Sequence, residues 1–171
     1  MSARKNLKEA ERLIAYRDVF HYGKDIVETD IFKEAMAQTH HRKTTVGDHS
    51  ASVAVIALRM CRRLNCRVCH LDERRVVLAA LTHDLGIVGR HEKYSTNIET
   101  YLRHPSDSAK IAMDLLPDMN KKFYRSISRH MFPLTILPPT SIEGLIISVA
   151  DKMASFKDIS PRKAYSRTLN Q

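Results

Sequence analysis

Residues 72–86 of the chain read DERRVVLAALTHDLG, which is an apolar helical pattern that ends in polar side chains. The apolar residues recur at three- and four-residue steps, the spacing of one helix face, and Asp84 continues that stripe. Asp72 is typical of a helix start and Gly86 of a helix end, so we expect one helix between them. A lone buried carboxylate is strongly destabilising, and Asp84 therefore needs a partner.

The same helical periodicity runs through the rest of the chain, and no segment alternates with period two. Thr45-X-X-Asp48 and Thr140-X-X-Glu143 resemble capping boxes, which begin helices. Three prolines within 131–139 predict a loop. The fold class is therefore all-α, a single compact helical bundle. Besides the helix from Asp72, the predicted helices cover 5–20, 29–39, 45–64, 105–116, 119–130 and 140–157.

The length of 171 residues and the 43% hydrophobic content fit one domain, and no linker or repeat suggests a boundary within 1–171. No run of eighteen apolar residues predicts a membrane span. The N-terminus has no apolar region typical of a secretion signal, and three cysteines are an odd number, so we expect reduced thiols and a cytoplasmic protein. Cys66-X-X-Cys69-His70 matches the string of haem attachment, but that chemistry requires export, and we favour neither haem nor zinc there.

The formal net charge of +9 attracts anions, which include nucleotides, other phosphorylated molecules and nucleic acid. Trp is absent and few aromatic residues lie among the basic ones, so stacking platforms for single-stranded nucleic acid are not evident. Nucleic acid is therefore a less favoured partner than a small phosphorylated molecule. The basic residues around one predicted turn are Arg59, Arg62, Arg63, Arg67, Arg74 and Arg75.

Metal-ligand side chains occupy apolar positions on three of the predicted helices. His49 lies one turn before Val53, and Asp151 follows Ile147 by four residues, as Asp84 continues its own stripe. One shared cation would satisfy all of these buried groups at once. His83 and Asp84 point about 100° apart on a helix, but at a helix end both can reach one ion.

The candidate ligands follow one another along the chain as His, His-Asp and Asp. This order and the sequences around each residue resemble the motif of the HD-domain metal-dependent phosphohydrolase superfamily. The matching strings are TTVGDHSASVAV at 44–55, LAALTHDLG at 78–86 and IISVADKMAS at 146–155. The resemblance covers about 44–155, flanked by N-terminal helices within 5–39 and a basic tail at 158–171. It implies an all-α bundle and one divalent metal, with Asp84 and His83 as the catalytic residues. The implied ligands of that metal are His49, His83, Asp84 and Asp151.

The string RHPSDSAKIA at 103–112 is similar to the His-Pro segment of members that bind two metals. By that similarity, His104 and His130 would complete a second site, with Asp84 bridging the two. Two other interpretations stay open: His104 caps a helix that begins at Pro105, and His130 complements a helix C-terminus. The cyclic-di-GMP-cleaving HD-GYP subgroup carries Gly-Tyr-Pro after its paired histidines, whereas Met-Phe-Pro follows His130, so we do not expect that substrate.

The resemblance implies a phosphohydrolase that acts on a nucleotide or another small phosphate mono- or diester. Mixed nitrogen and oxygen ligands suit one or two ions of Fe, Mn, Co, Ni or Zn, and a metal-activated hydroxide would attack phosphorus in line. The alternative is a non-catalytic module of the same fold that binds a nucleotide or RNA. Basic and hydroxyl groups flank the ligand motifs, and those expected to contact substrate are Arg42, Lys43, Arg90, Lys93 and Tyr94, the last three as a lid after the His-Asp turn.

Overall fold

The computed structural model describes residues 2–41, 44–65 and 70–157, which form an all-α bundle with one short antiparallel strand pair. The all-α prediction is confirmed. The predicted contacts of Arg42 and Lys43, the Cys66 and Cys69 pair and the tail at 158–171 lie outside the described residues. The helices are α1 (Ser2–Val27), α2 (Asp30–Ala37), α3 (Val46–Asn65), α4 (Glu73–Thr82), α5 (Arg90–Lys93), α6 (Asn97–Leu115), α7 (Lys121–Ser128) and α8 (Ile142–Lys157), and the strands are β1 (Thr39–His41) and β2 (Thr44–Thr45).

Helix α3 is the centre of the bundle. Every residue from 46 to 58 is buried, because α3 packs against α1, α4 and α8 on different sides. Its N-terminus is capped as predicted, since the Thr45 hydroxyl accepts a hydrogen bond from the Asp48 backbone N–H at 3.0 Å. This burial places the first turn of α3, which carries His49, inside the protein.

The N-terminal helices share this core. Tyr16, Val19 and Ile26 of α1 belong to the same buried apolar cluster as α3 and α4. After α2, the Gln38 side chain donates to the Ile87 carbonyl at 2.9 Å and accepts from the Gly89 N–H at 2.8 Å. Gln38 therefore attaches the N-terminal region to the turn that follows the His-Asp pair.

Several predicted helix ends are wrong, among them the end of the first helix, which continues to Val27 instead of stopping at Phe20. The second helix ends at Ala37, two residues before the predicted end. Helix α4 ends at Thr82, so His83 and Asp84 lie in a turn, and Gly86 sits in the following 3₁₀ turn (Leu85–Ile87). Helix α6 begins at Asn97, where the Thr96 hydroxyl accepts from the Glu99 N–H, and therefore Pro105 lies in its interior. Helix α8 is capped one residue later than expected, by Ser141.

The segment between α7 and α8 is irregular, as its three prolines predict. The helix that was expected over 119–130 is shorter, because the Asn120 side chain caps α7 and Arg129 follows its end. Among the described helices, none combines the length and apolar character that crossing a bilayer requires.

Candidate metal centre

Six polar side chains that the sequence singles out meet inside the bundle. None of them is more than 8% exposed, although buried histidines and carboxylates are costly without partners. They come from five separate segments, so the fold, not the local sequence, brings them together. They are His49 in α3, His83 and Asp84 after α4, His104 in α6, His130 after α7 and Asp151 in α8.

One oxygen of Asp84 faces two imidazoles. Asp84 Oδ1 lies 3.4 Å from His104 Nε2 and 3.5 Å from His130 Nε2. The two Nε2 atoms are 3.3 Å apart. These three atoms form a nearly equilateral triangle, and ligand atoms held tetrahedrally at about 2.1 Å from a metal are about 3.4 Å apart.

The other oxygen of Asp84 faces a second group of ligands. Asp84 Oδ2 lies 3.3 Å from His83 Nε2 and 3.8 Å from His49 Nε2. Asp151 Oδ1 lies 3.1 Å from His49 Nε2 and 3.9 Å from His83 Nε2. The spacing is looser than on the first side, but the same carboxylate again supplies one corner. This arrangement fits a bridging role for Asp84.

Backbone carbonyls fix three of the four imidazoles. His83 Nδ1 lies 2.7 Å from the Ala80 oxygen, His104 Nδ1 2.7 Å from the Thr100 oxygen, and His130 Nδ1 2.8 Å from the Ile127 oxygen. A carbonyl only accepts, so Nδ1 carries the proton in each ring. Metal-bound histidines are held in the same way, with Nε2 left for the ion.

The chemistry of this donor set fits a cation. With Nδ1 protonated, the Nε2 atoms of His104 and His130 face each other with lone pairs at 3.3 Å, an unfavourable contact that a cation between them would reverse. His83 Nε2 is fully buried and has no hydrogen-bond partner among the residues that the structure describes. Two groups of buried ligand atoms are close enough to share an ion, His49 with His83 and Asp151, and His83 with Asp84 and His130.

The electrostatics favour metal binding at the two carboxylates and at His130, but not at His83. Burial would raise the pKa of Asp84, but the positive charge of His83 outweighs burial and holds that pKa well below its usual range. The pKa of Asp151 is also lowered by His49. Burial lowers the pKa of His130. Burial would also lower the pKa of His83, but the negative charges of Asp84 and Asp151 outweigh it and raise that pKa to about 9. Both carboxylates are therefore ionised and His130 is neutral at pH 7, as ligands must be, whereas His83 must release a proton when a metal ion binds.

Lys152 lies directly beside the cluster. Its Nζ donates to the His130 carbonyl and lies 3.2 Å from Asp151 Oδ2 and 3.4 Å from Ser148 Oγ. Lys152 thus joins α8 to the end of α7 and places a positive charge at the site. It also lines a cavity of about 210 Å³ that ends on Asp84, His104 and Asp151.

The three residues after the His-Asp turn that are expected to contact substrate do not line the cavity at the cluster. Arg90, Lys93 and Tyr94 belong to the short helix α5 and its C-terminus, not to an irregular lid. The Tyr94 hydroxyl is inside the protein, 2.9 Å from Asp107 Oδ2 and 3.1 Å from the Gly86 oxygen. Arg90 and Tyr94 line a second cavity of about 260 Å³ whose lining shares no residue with the first. The substrate contacts of these three residues stay predictions.

His104 is not the N-terminal cap of a helix, because α6 begins at Asn97, seven residues earlier. The cavity lining contains residues that the sequence analysis missed, among them Tyr101, Leu134 and Phe156. Tyr101 precedes His104 by three residues, one helical turn, so this spacing was a usable signal. No comparable signal existed for Leu134, which lies in the irregular segment before α8.

The chain is thus an all-α bundle with a buried cluster of histidines and aspartates that could hold a metal ion. The sequence pattern of the HD domain family matches residues 46–155 of this chain, so the protein belongs to that family. HD domains form a superfamily of metal-dependent phosphohydrolases, and some members are non-catalytic. No curated protein and no solved structure matches the chain.

Proposed function

We propose that this protein is a metal-dependent phosphohydrolase that acts on a nucleotide or another small phosphate mono- or diester. The observation that carries the proposal is the convergence of four imidazole Nε2 atoms on two ionised carboxylates. Both carboxylates and two of the imidazoles line a cavity. A non-catalytic module could lose these ligands without loss of function. A cytoplasmic location, argued from an odd number of cysteines, belongs to the same proposal.

One or two divalent ions of Fe, Mn, Co, Ni or Zn would supply an activated water nucleophile at neutral pH and neutralise charge on the phosphoryl oxygens. The side chains around the proposed metal centre have separate roles. Asp84 divides its two oxygens between the ligand groups, and the carbonyl-bonded histidines hold their Nε2 atoms in fixed directions. Lys152 places an ammonium group at the cavity wall, where it can pair with a phosphate oxygen.

The first experiment is elemental analysis of purified wild type and Asp84→Ala, followed by hydrolysis assays on mono- and diesters with the metal that is found. We expect close to two metal equivalents and turnover in the wild type, and neither in the variant. The matched control is Asp118→Ala, which removes an exposed carboxylate and keeps both. Turnover by Asp84→Ala would show that the metal mechanism is wrong.

The paired arginines of the predicted basic cluster, among the residues that the structure describes, give the RNA-binding alternative little support. Four of the arginines of the predicted basic cluster are paired with acidic residues: Arg62 lies 2.8 Å from both Asp18 and Glu73. Since these charges are neutralised within the protein, they offer little to a phosphate backbone. The other pairs are Arg59 with Glu11, Arg74 with Asp25 and Arg75 with Asp72.

A further inference from the structure

Three large apolar side chains are exposed at the mouth of the metal-centre cavity. Tyr101 of α6 is 51% exposed, Leu134 of the segment before α8 is 73% exposed, and Phe156 of α8 is 88% exposed. They come from three separate parts of the chain, yet all three line the same cavity, as does the buried Met131. We call Tyr101, Leu134 and Phe156 the apolar rim.

The cavity therefore has two chemically different ends. Its inner end is formed by Asp84, Asp151, two of the imidazoles and Lys152, and with metal bound these groups suit a phosphate group. Beyond those groups, the polar lining consists of the Ser155 side chain and the Tyr101 hydroxyl within the described residues. A substrate rich in hydroxyl groups would meet few hydrogen-bond partners there and would leave polar groups unpaired.

The size of the cavity limits the organic group. Its volume of about 210 Å³ lies below the roughly 300–1,000 Å³ of ordinary ligand pockets. One water occupies about 30 Å³ of liquid, so the cavity holds about seven waters, or a phosphate with one ring-sized group. A longer nucleic acid chain does not fit within it.

We propose, resting on the phosphohydrolase function above, that the substrate is a small phosphate ester with one aromatic or apolar group, which the apolar rim covers. In this reaction the oxygen of water bonds to phosphorus, and the bond between phosphorus and the ester oxygen breaks. The ester oxygen leaves as the alcohol with a proton from that water, and the other product is the phosphate that carries the water oxygen. The rim residues determine specificity and take no part in bond breaking.

The test compares two esters that differ in the organic group but not in the type of leaving group. Benzyl phosphate and glycerol phosphate both release an alkyl alcohol, so intrinsic reactivity does not separate them. With the Mn²⁺-loaded full-length protein, we expect kcat/KM to be about 10-fold higher for benzyl phosphate. Tyr101→Ser and Phe156→Ser should each remove most of that ratio, mainly through a higher KM for benzyl phosphate.

Two variants of equally exposed apolar residues serve as controls. Ile98→Ser lies in α6 near Tyr101, and Leu137→Ser lies in the same irregular segment as Leu134, but neither residue lines the cavity. Both controls should keep the wild-type ratio. A ratio near one in the wild type, or a ratio that the rim variants do not change, would overturn the proposal while leaving the hydrolase function intact.

A binding measurement separates this proposal from the hydrolase function. Benzylphosphonate and methylphosphonate cannot be hydrolysed at the P–C bond, and calorimetry with the Mn²⁺-loaded protein gives their affinities directly. If benzylphosphonate binds more tightly than methylphosphonate and Phe156→Ser abolishes the difference, the proposed ligand class is supported. This holds even if neither ester is turned over. If the rim variants instead convert a dimer to a monomer with the ratio unchanged, the rim is an interface between two copies and the proposal is wrong.

Discussion

Asp84 is the side chain on which both halves of the candidate centre depend. Its Oδ1 faces His104 and His130, and its Oδ2 faces His83 and His49. No other ligand of the cluster offers one oxygen to each side within these distances. In the proposed metal centre this one carboxylate would serve both halves, and it must stay ionised for either half to bind a cation.

His104 belongs to one half alone, and its removal should therefore separate the two sites. We expect the wild type to hold two Mn²⁺ per chain and His104→Ala to hold one, because the ligands around Asp84 Oδ2 remain in place. Elemental analysis after removal of excess Mn²⁺ measures the number of Mn²⁺ ions per chain. The exposed His91 provides the control, and His91→Ala should keep both ions. Two ions in His104→Ala would contradict the division of the centre.

The sequence predicted the ligand cluster from two signals. Polar residues occupy positions on apolar helix faces, and their order along the chain matches that of the HD domain family. The sequence could not show which carbonyl fixes each imidazole, since those contacts depend on the ends of α4 and α7. It also could not place Phe156 and Leu134 at one cavity, because only the packing of α8 against the preceding segment brings them together.

At the scale of elements, the turn after α4 and helix α6 approach each other without space for a side chain. A Cβ at Gly86 would lie 2.5 Å from the His104 carbonyl oxygen and 2.7 Å from the Ser108 backbone nitrogen. The Gly86 N–H also donates to the Ser108 hydroxyl at 2.8 Å. This close contact between two segments that carry candidate ligands therefore requires glycine at position 86. The sequence had suggested a different reason, namely that Gly86 ends a helix.

Gly86→Ala should force α6 away from the turn. We expect the free energy of unfolding to fall by about 1–3 kcal/mol, the usual cost of overpacking, and the Mn²⁺ affinity to fall with it, since His104 moves relative to Asp84. Urea unfolding and a Mn²⁺ titration measure the two effects. Ser108→Ala removes the hydrogen bond without adding bulk, and it should cost less and leave Mn²⁺ binding unchanged. Equal losses in both variants would contradict the steric argument.

Helices α7 and α8 are tied by a charge pair close to their N-termini. Lys122 Nζ lies 2.7 Å from Glu143 Oε1, and the Glu143 side chain is 16% exposed. Burial would raise the pKa of Glu143, but Lys122 outweighs burial and lowers it. A carboxylate with a lowered pKa stabilises the folded state above its unfolded pKa and loses that contribution as the pH falls through the folded value.

Glu143→Gln should therefore destabilise the protein more at pH 7 than in acid. We expect a loss of about 0.5–1 kcal/mol at pH 7 that shrinks as the pH falls below about 4, measured by urea unfolding of wild type and variant in parallel. Glu92→Gln, at an exposed position of α5, is the control and should show no such trend. A loss that does not change with pH would assign the effect to packing instead of charge.

The element boundaries show where local sequence signals were insufficient. Pro105 is typical of a first helical turn, but α6 already begins at Asn97 and Pro105 lies inside it. The stronger local signal was Thr96, whose hydroxyl caps α6, three residues before Glu99. By contrast, the cap at Thr45 and the irregular segment 131–139 follow the sequence, since both depend on neighbouring residues alone.

At the scale of the whole molecule, the candidate centre is a place where five segments meet on groups that repel one another. His104 and His130 direct lone pairs at each other, and two ionised carboxylates are buried beside them. Without a cation, this cluster destabilises the fold that the apolar core of α1, α3, α4 and α8 provides. A cation that binds the proposed metal centre only in the folded state would therefore stabilise the fold by mass action.

Mn²⁺ should therefore stabilise the whole protein and not only its site. At 100 times the dissociation constant, one site adds about 2.7 kcal/mol, which corresponds to a rise in Tm of about 5–10 °C for a chain of this size. Mg²⁺, which prefers oxygen ligands, should give a much smaller rise. Thermal unfolding of metal-free protein with and without each ion measures both effects. Asp84→Ala should show almost no response to Mn²⁺, and an equal rise in that variant would mean that the ion binds elsewhere.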